Sequence, residues 1–78
     1  MIAIIDYGVG NLRSVQRAIQ RYYPEVIISN EEKQIKEAIG IVLPGVGAFG
    51  DAVQELKRKG LFNLLIKIIP IKPTLGIC

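Results

Sequence analysis

The 78-residue sequence contains one cysteine, no histidine and no tryptophan. A single cysteine excludes a disulfide-stabilised scaffold and a cysteine-rich zinc site. Because histidine is absent, these residues hold no Ser-His or Cys-His pair and no imidazole ligand, and we expect no metal site. The apolar runs are far shorter than the ~18 residues of a membrane-spanning helix. The N-terminus lacks the basic and apolar regions of a secretory signal. We therefore expect a cytoplasmic protein with no membrane contact.

Aromatic residues are also few, at 6% of the sequence. The net charge is +3, and the basic residues form two clusters. Arg13, Arg17 and Arg21 are spaced four apart, as on one side of a helix. A second cluster at residues 57–59 suits the last turn of a helix, where cations favour the negative end of the helix dipole. Since helices explain both clusters and few aromatic residues could stack on bases, we expect no nucleic-acid partner.

Apolar residues, in contrast, are abundant. They make up 50% of the sequence, and the mean hydropathy is +0.35. A chain of this size buries only about 60% of the surface that it exposes when unfolded. Either another chain covers the excess apolar surface, by self-association for instance, or these residues are part of a larger fold.

The pattern of apolar residues predicts strands that alternate with helices. Strands are expected at residues 2–6, 25–29, 41–43 and 73–78. Helices are expected from residue 12 to the residues before Pro24, at 31–39, from Asp51 to about residue 59, and at 61–69. This alternation predicts an α/β fold whose parallel strands are joined by right-handed helical crossovers.

Local signals define the ends of two of these helices. Asn11 is a good N-cap for the first helix, and Gly60 suits the position after the third. The first helix should bury one apolar stripe, formed by Leu12, Val15, Ile19 and Tyr22. The third should turn Val53 and Leu56 inward.

Glycine-rich turns and the cysteine lie at the carboxyl ends of the predicted strands. They are residues 7–11, residues 44–50 and Cys78. In open α/β sheets, ligands bind outside this edge, near a switch in strand order. The pattern therefore predicts that the functional site gathers these three segments.

The chemistry of these segments is open from pattern alone. Cys78 is either an inert small apolar residue or a nucleophile on a strand-to-helix turn, and Gly76 favours the second interpretation. The glycines of residues 44–50 favour backbone N–H groups close to a ligand, as in an oxyanion or phosphate site, but no Walker motif follows. A dinucleotide fingerprint is excluded, because Arg13 stands where its third glycine is needed.

Three segments resemble one family of enzymes. They are residues 6–14 (DYGVGNLRS), 43–52 (LPGVGAFGDA) and 73–78 (PTLGIC). Together they resemble the glutamine amidotransferase subunits of imidazole glycerol phosphate synthases, which are class I (triad) glutamine amidotransferases. The Gly-x-Cys end of the third segment is common to the whole class, whereas the first two segments are particular to this subunit.

The resemblance implies a flavodoxin-like fold, truncated here to about four parallel strands with flanking helices, in a flavodoxin-like strand order. Residues 1–78 would form the N-terminal portion of the amidotransferase domain, up to the nucleophile position. The family hydrolyses glutamine to glutamate and ammonia through a Cys-His-Glu triad and a glutamyl thioester, with no cofactor. The ammonia passes through a tunnel in a partner (β/α)₈ cyclase subunit, in histidine biosynthesis.

The resemblance also implies roles for individual residues. Cys78 matches the nucleophile. Gly45, Val46 and Gly47 match the oxyanion strand, in which a backbone N–H near Val46–Gly47 must point at the developing oxyanion. Asn11 matches a residue close to the cyclase interface. Arg17 would also face the cyclase, although a solvent-exposed helix stripe explains it equally well.

The sequence departs from the family in one important respect. With no histidine in the 78 residues, the triad base is missing, and no glutamate present matches the triad glutamate, which follows that histidine in the family. We therefore expect these 78 residues to be inactive by themselves. The alternative is a flavodoxin-like module that acts by binding or self-assembly and not by catalysis.

Overall fold

The computed structural model describes residues 1–8, 10–45 and 49–77, with Phe49 and Gly50 described through the backbone alone. Four strands alternate with four α-helices. In chain order they are β1 (Ile2–Ile5), α1 (Leu12–Gln20), β2 (Val26–Ser29), α2 (Glu32–Glu37), β3 (Gly40–Pro44), α3 (Phe49–Arg58), α4 (Phe62–Ile68) and β4 (Thr74–Ile77). A short 3₁₀ turn (Ile69–Ile71) links α4 to β4. The predicted alternation is confirmed.

The four strands form one parallel sheet in the order β2-β1-β3-β4. In its centre, Ile4 of β1 lies beside Ile28 of β2 and Val42 of β3. This order confirms the flavodoxin-like expectation. The order reverses between β1 and β3, and their carboxyl ends therefore flank the position where such sheets bind ligands.

One face of the sheet is covered by α2, α3 and α4. The strand residues on this face include Ala3, Ile5 and Ile41. They pack with residues of the three helices and their ends, all buried: Ile35, Ala38, Ala52, Leu56, Leu61, Leu64, Leu65 and Ile68. We call this group the large core. Leu56 confirms the inward direction predicted for it, and Val53 is half-buried.

The opposite face is covered by α1. Among the described residues, the buried members of this face come from strands and are Ile4, Val26 and Val42. Half-buried residues of α1 and its surroundings pack against them, among them Leu12, Val15, Ile19 and Tyr23. We call this group the small core. Successive residues of a strand point to opposite faces, and the continuous apolar run of β1 therefore feeds both cores.

The prediction for the end of the apolar stripe on α1 is wrong at one position. Tyr22 is 88% exposed, and the neighbouring Tyr23 packs against the small core instead. The reason is that α1 ends at Gln20, so that Tyr22 lies beyond the regular helical spacing. Helix α3 begins at Phe49, two residues before the predicted start at Asp51.

Both predicted helix-end residues are confirmed. The Asn11 side chain accepts a hydrogen bond from the Ser14 N–H at the start of α1. At the end of α3, Gly60 has φ +74°, the Gly60 N–H donates to the Lys57 carbonyl, and the Leu61 N–H donates to the Leu56 carbonyl. These two bonds form a Schellman motif, with buried Leu56 and Leu61 as its apolar pair. None of the helices within the described residues combines the length and the hydrophobicity that spanning a bilayer requires.

Candidate functional site

The carboxyl ends of β1, β3 and β4 meet at one edge of the sheet, where the sequence predicts the site. After β1, the chain turns through Gly8 (φ +95°) and Gly10 (φ +71°) before Asn11 starts α1. These left-handed conformations favour glycine, because a side chain there is strained. Both glycines of the predicted turn are thus needed to carry the chain from β1 into α1.

Tyr7 connects the end of β1 to the end of β3. Its side chain is fully buried in the large core, and its hydroxyl donates a hydrogen bond to the Pro44 carbonyl oxygen. Burial raises the pKa of the Tyr7 phenol above its ordinary value, because the charged phenolate loses its hydration. Tyr7 is therefore a neutral hydrogen-bond donor at neutral pH, located between the two strands where the order reverses.

Gly45 connects β3 to β4. Its N–H donates to the Ile77 carbonyl over 2.6 Å, which extends the pairing of Pro44 with Ile77 by one bond. Gly45 also has φ +73°, a left-handed conformation in which the chain turns away from the strand. Because this N–H is already bonded within the sheet, it does not face a ligand. Gly45 thus provides the turn out of β3, and the oxyanion donor expected near Val46 and Gly47 lies outside the described residues.

Three predicted site residues lie outside the described residues: Val46 and Gly47 of the oxyanion segment, and Cys78. The residues that flank them are described. Gly45 precedes Val46, Ile77 precedes Cys78, and the backbones of Gly45 and Ile77 are hydrogen-bonded to each other. The structure thus brings together the chain positions from which the predicted oxyanion segment and the predicted nucleophile continue.

The two predicted interface residues lie on or beside α1. Asn11 precedes the helix and Arg17 lies in its last turn, and both are exposed. Arg17 and Arg21 line a shallow depression on this helix together with Ser14, Ala18 and Tyr22. Since the capping oxygen of Asn11 is already bonded to Ser14, the side chain is held in a defined orientation at the surface.

Sequence reasoning missed the role of Tyr7. Its partner Pro44 is 37 residues away in the chain, and no local pattern indicates such a contact. The available signal is the position of Tyr7, a side chain with a polar tip at the predicted site edge, two residues after β1. Within the described residues, no group of three or more cysteine, aspartate or glutamate side chains could hold a metal ion.

The chain is similar over its whole length to curated bacterial proteins. It is 46% identical over 78 residues to imidazole glycerol phosphate synthase subunit HisH of Staphylococcus saprophyticus, covering 100% of this chain and 39% of the relative. The HisH subunit of Bacillus cereus is 47% identical over 79 aligned residues, which is 100% of this chain and 38% of the relative. The HisH subunit of Aquifex aeolicus is 49% identical over 77 residues, 96% of this chain and 37% of the relative.

The match covers only part of each relative. The chain spans slightly less than two fifths of the length of these curated relatives, and the match is to their N-terminal part. No family model matches the chain.

Proposed function

We propose that the chain belongs to the family of imidazole glycerol phosphate synthase subunit HisH, whose N-terminal part it matches, and that it contributes the nucleophile and the oxyanion segment of a glutaminase. The observation that supports this proposal is the hydrogen bond between the Gly45 N–H and the Ile77 carbonyl. It joins the positions that immediately precede the proposed oxyanion donors and the proposed nucleophile.

The proposed reaction is hydrolysis of glutamine to glutamate and ammonia. The Cys78 sulfur attacks the carboxamide carbon, and a backbone N–H of Val46 or Gly47 stabilises the negative oxygen of the tetrahedral intermediate. Ammonia leaves as the C–N bond breaks, and a glutamyl thioester remains on the sulfur. Water then attacks the thioester, which releases glutamate and restores the thiol.

A general base must take the thiol proton and deliver it to the departing ammonia. The 78 residues contain no histidine, so the base and its carboxylate partner must come from elsewhere in the protein assembly. We therefore propose that these 78 residues alone do not turn over glutamine. Ammonia release from glutamine by the purified 78-residue chain, above that of its Cys78→Ala variant, would contradict this part of the proposal.

The proposed partner is a (β/α)₈ cyclase subunit that consumes the ammonia in histidine biosynthesis, in a cytoplasmic heterodimer. Asn11 and Arg17 are proposed to face this subunit, because both are exposed on the helix that leaves the site edge. Substitution of Arg17 by glutamate should weaken binding to the cyclase subunit in calorimetry. Substitution of Lys67, which is exposed on α4, is the matched control.

A chimera tests the catalytic proposal. Residues 1–78 are joined to the remaining part of the Bacillus cereus HisH relative and combined with the cyclase subunit from that organism. We expect glutamate and ammonia to form at a rate that the Cys78→Ala variant abolishes. A folded chimera that binds the cyclase subunit but forms no glutamate would overturn the proposal.

A second proposal is self-association of the 78-residue chain, and exposed apolar side chains favour it. Ile39, Ile71 and Leu75 are 60%, 76% and 56% exposed. Leu75 also lines an apolar groove of about 210 Å³ that includes Ile19 of α1. Exposed apolar surface of this kind favours association. Light scattering should give more than the monomer mass at micromolar concentration, and Leu75→Lys should lower it. A monomer for the unsubstituted chain would dismiss this proposal.

A further inference from the structure

The peptide group between Pro44 and Gly45 is fixed from both sides. Its carbonyl oxygen accepts a hydrogen bond from the Tyr7 hydroxyl, and its N–H donates to the Ile77 carbonyl. The first bond comes from the end of β1 and the second from the end of β4. One peptide plane therefore joins three strand ends at the edge where the strand order reverses.

We propose that Tyr7 is a positioning residue that sets the orientation of the Pro44–Gly45 peptide, and with it the direction in which the chain leaves β3 toward Val46. Its catalytic consequence rests on the function proposed above, because Val46 and Gly47 are the proposed oxyanion donors. The hydrogen-bonded arrangement itself does not depend on that function.

The backbone on either side of this peptide does not fix its orientation by itself. The Pro44 ring fixes its own φ angle, and Gly45 takes a left-handed φ of +73°. Glycine adopts both signs of φ readily, and Gly45 alone would therefore allow the peptide plane to rotate. Rotation would break the bond to Tyr7 and the bond to Ile77 together. Tyr7 supplies the side-chain half of this restraint from a fully buried position.

The placement of Tyr7 argues for more than a packing role. The ring alone would fill the same space in the large core if it were phenylalanine. The hydroxyl adds a buried polar group, which is costly unless it is bonded, and its partner is the carbonyl at the end of β3. An oxyanion donor must point at the position where negative charge develops. The hydrogen bond from Tyr7 fixes the Pro44–Gly45 peptide, which directly precedes the proposed donors.

The first test compares Tyr7→Phe with Tyr22→Phe in the 78-residue chain. The first variant removes only the bonded hydroxyl, and the second removes a hydroxyl from a side chain that is 88% exposed. We expect hydrogen exchange at the Gly45 N–H, measured by NMR, to accelerate about five- to tenfold in Tyr7→Phe, as for the loss of one buried hydrogen bond. The control should leave it unchanged. Unchanged exchange at Gly45 in a folded Tyr7→Phe variant would overturn the proposal.

The unsubstituted chain provides a measurement that does not depend on how the variant folds. A buried hydroxyl that donates to the Pro44 carbonyl should keep its proton long enough for detection by NMR, with a nuclear Overhauser contact to the Pro44 region. Fast exchange of the Tyr7 hydroxyl proton with water would also overturn the proposal.

Activity of the chimera described above supplies the catalytic measurement. Tyr7→Phe should lower kcat about ten- to a hundredfold, as expected for misplaced catalytic groups, while KM for glutamine stays within about twofold of the parent. A rise in KM at constant kcat would contradict a positioning role. If the parent chimera is inactive, the proposed function fails, and the exchange measurements still decide whether Tyr7 holds the peptide.

Discussion

The two faces of the sheet are covered very differently. On the face of the large core, α2, α3 and α4 contribute eight of the buried residues from these helices and their ends. On the face of the small core, α1 contributes no fully buried residue, although it is longer than α2 and α4. The apolar groove beside α1 and the exposed Leu75 lie on the face of the small core.

The difference shows how one strand sequence serves two environments. β1 alternates between the cores, with Ala3 and Ile5 in the large core and Ile4 in the small one. All three are fully buried, because β1 is an interior strand of the sheet and side chains of the helices pack on both faces. The helices differ in this respect. Apolar residues of α2, α3 and α4 are buried because these helices pack beside one another, whereas α1 has no neighbouring helix on its face among the described residues. Stability should therefore reside mainly on the side of the large core.

Truncation of one leucine on each face tests this comparison most strongly. Leu65→Ala in the large core should lower the free energy of unfolding by about 2–5 kcal/mol, the usual cost of such a cavity. Leu12→Ala, at a half-buried leucine of α1, should cost only about 1 kcal/mol. Urea denaturation of both variants provides the measurement. Equal losses would show that the two faces contribute equally, contrary to the comparison.

Lys72 offers a more local test on the side of the large core. Its ammonium group donates to the carbonyls of Ile35, Lys36 and Ala38 at the carboxyl end of α2. Cations at this end of a helix interact favourably with its dipole. Lys72→Met should therefore lower the free energy of unfolding by about 1–2 kcal/mol. Lys33→Met, at an exposed lysine of α2 outside its last turn, is the control, and an equal effect of both substitutions would dismiss the helix-end explanation.

On the face of the small core, loss of the N-cap of α1 should lower the free energy of unfolding by a smaller amount. Asn11→Ala removes the oxygen that accepts from the Ser14 N–H, and we expect a loss of about 0.5–1 kcal/mol in thermal or urea unfolding. Asn11→Asp retains a capping oxygen and should restore most of this stability. If the aspartate variant is as unstable as the alanine variant, the cap is not the cause.

The buried Tyr7 phenol predicts the smallest effect, which appears only in alkali. Its pKa is raised by burial above the value of about 10 of the unfolded chain. Above pH 10 the unfolded state therefore loses this proton more readily than the folded state. The stabilising contribution is complete below pH 10 and decreases as the pH rises through the folded-state pKa. Tyr7→Phe should show a shallower loss of stability between pH 9 and 11, and identical slopes would contradict this.

Patterns within a few residues predicted much of this structure. The element order, the cap at Asn11 and the turn at Gly60 each depend on neighbouring residues, and the structure confirms all three. Strand order came from the family resemblance and is also confirmed. The stripe on α1 was overextended to Tyr22, because hydrophobic spacing does not define where a helix stops.

The contacts that organise the site edge were beyond such patterns. Tyr7 meets Pro44, and Lys72 meets the end of α2, across separations of 34 to 37 residues. Only the folded sheet brings these groups together. The resemblance indicates the oxyanion segment. Only the structure shows that the Gly45 N–H of this segment is already hydrogen-bonded, to the Ile77 carbonyl within the sheet.

The separation between Tyr7 and Pro44 also has a consequence for biosynthesis. Their 37-residue interval takes about 2–7 s to translate at about 5–20 residues per second. During that time the nascent chain contains β1 without β3, and Ile77, which completes the restraint, follows later still. The restraint at the site edge therefore cannot form before Ile77 has been synthesised. Until β3 is synthesised, the edge of β1 that pairs with β3 has no partner strand, although β2 can already pair with the other edge.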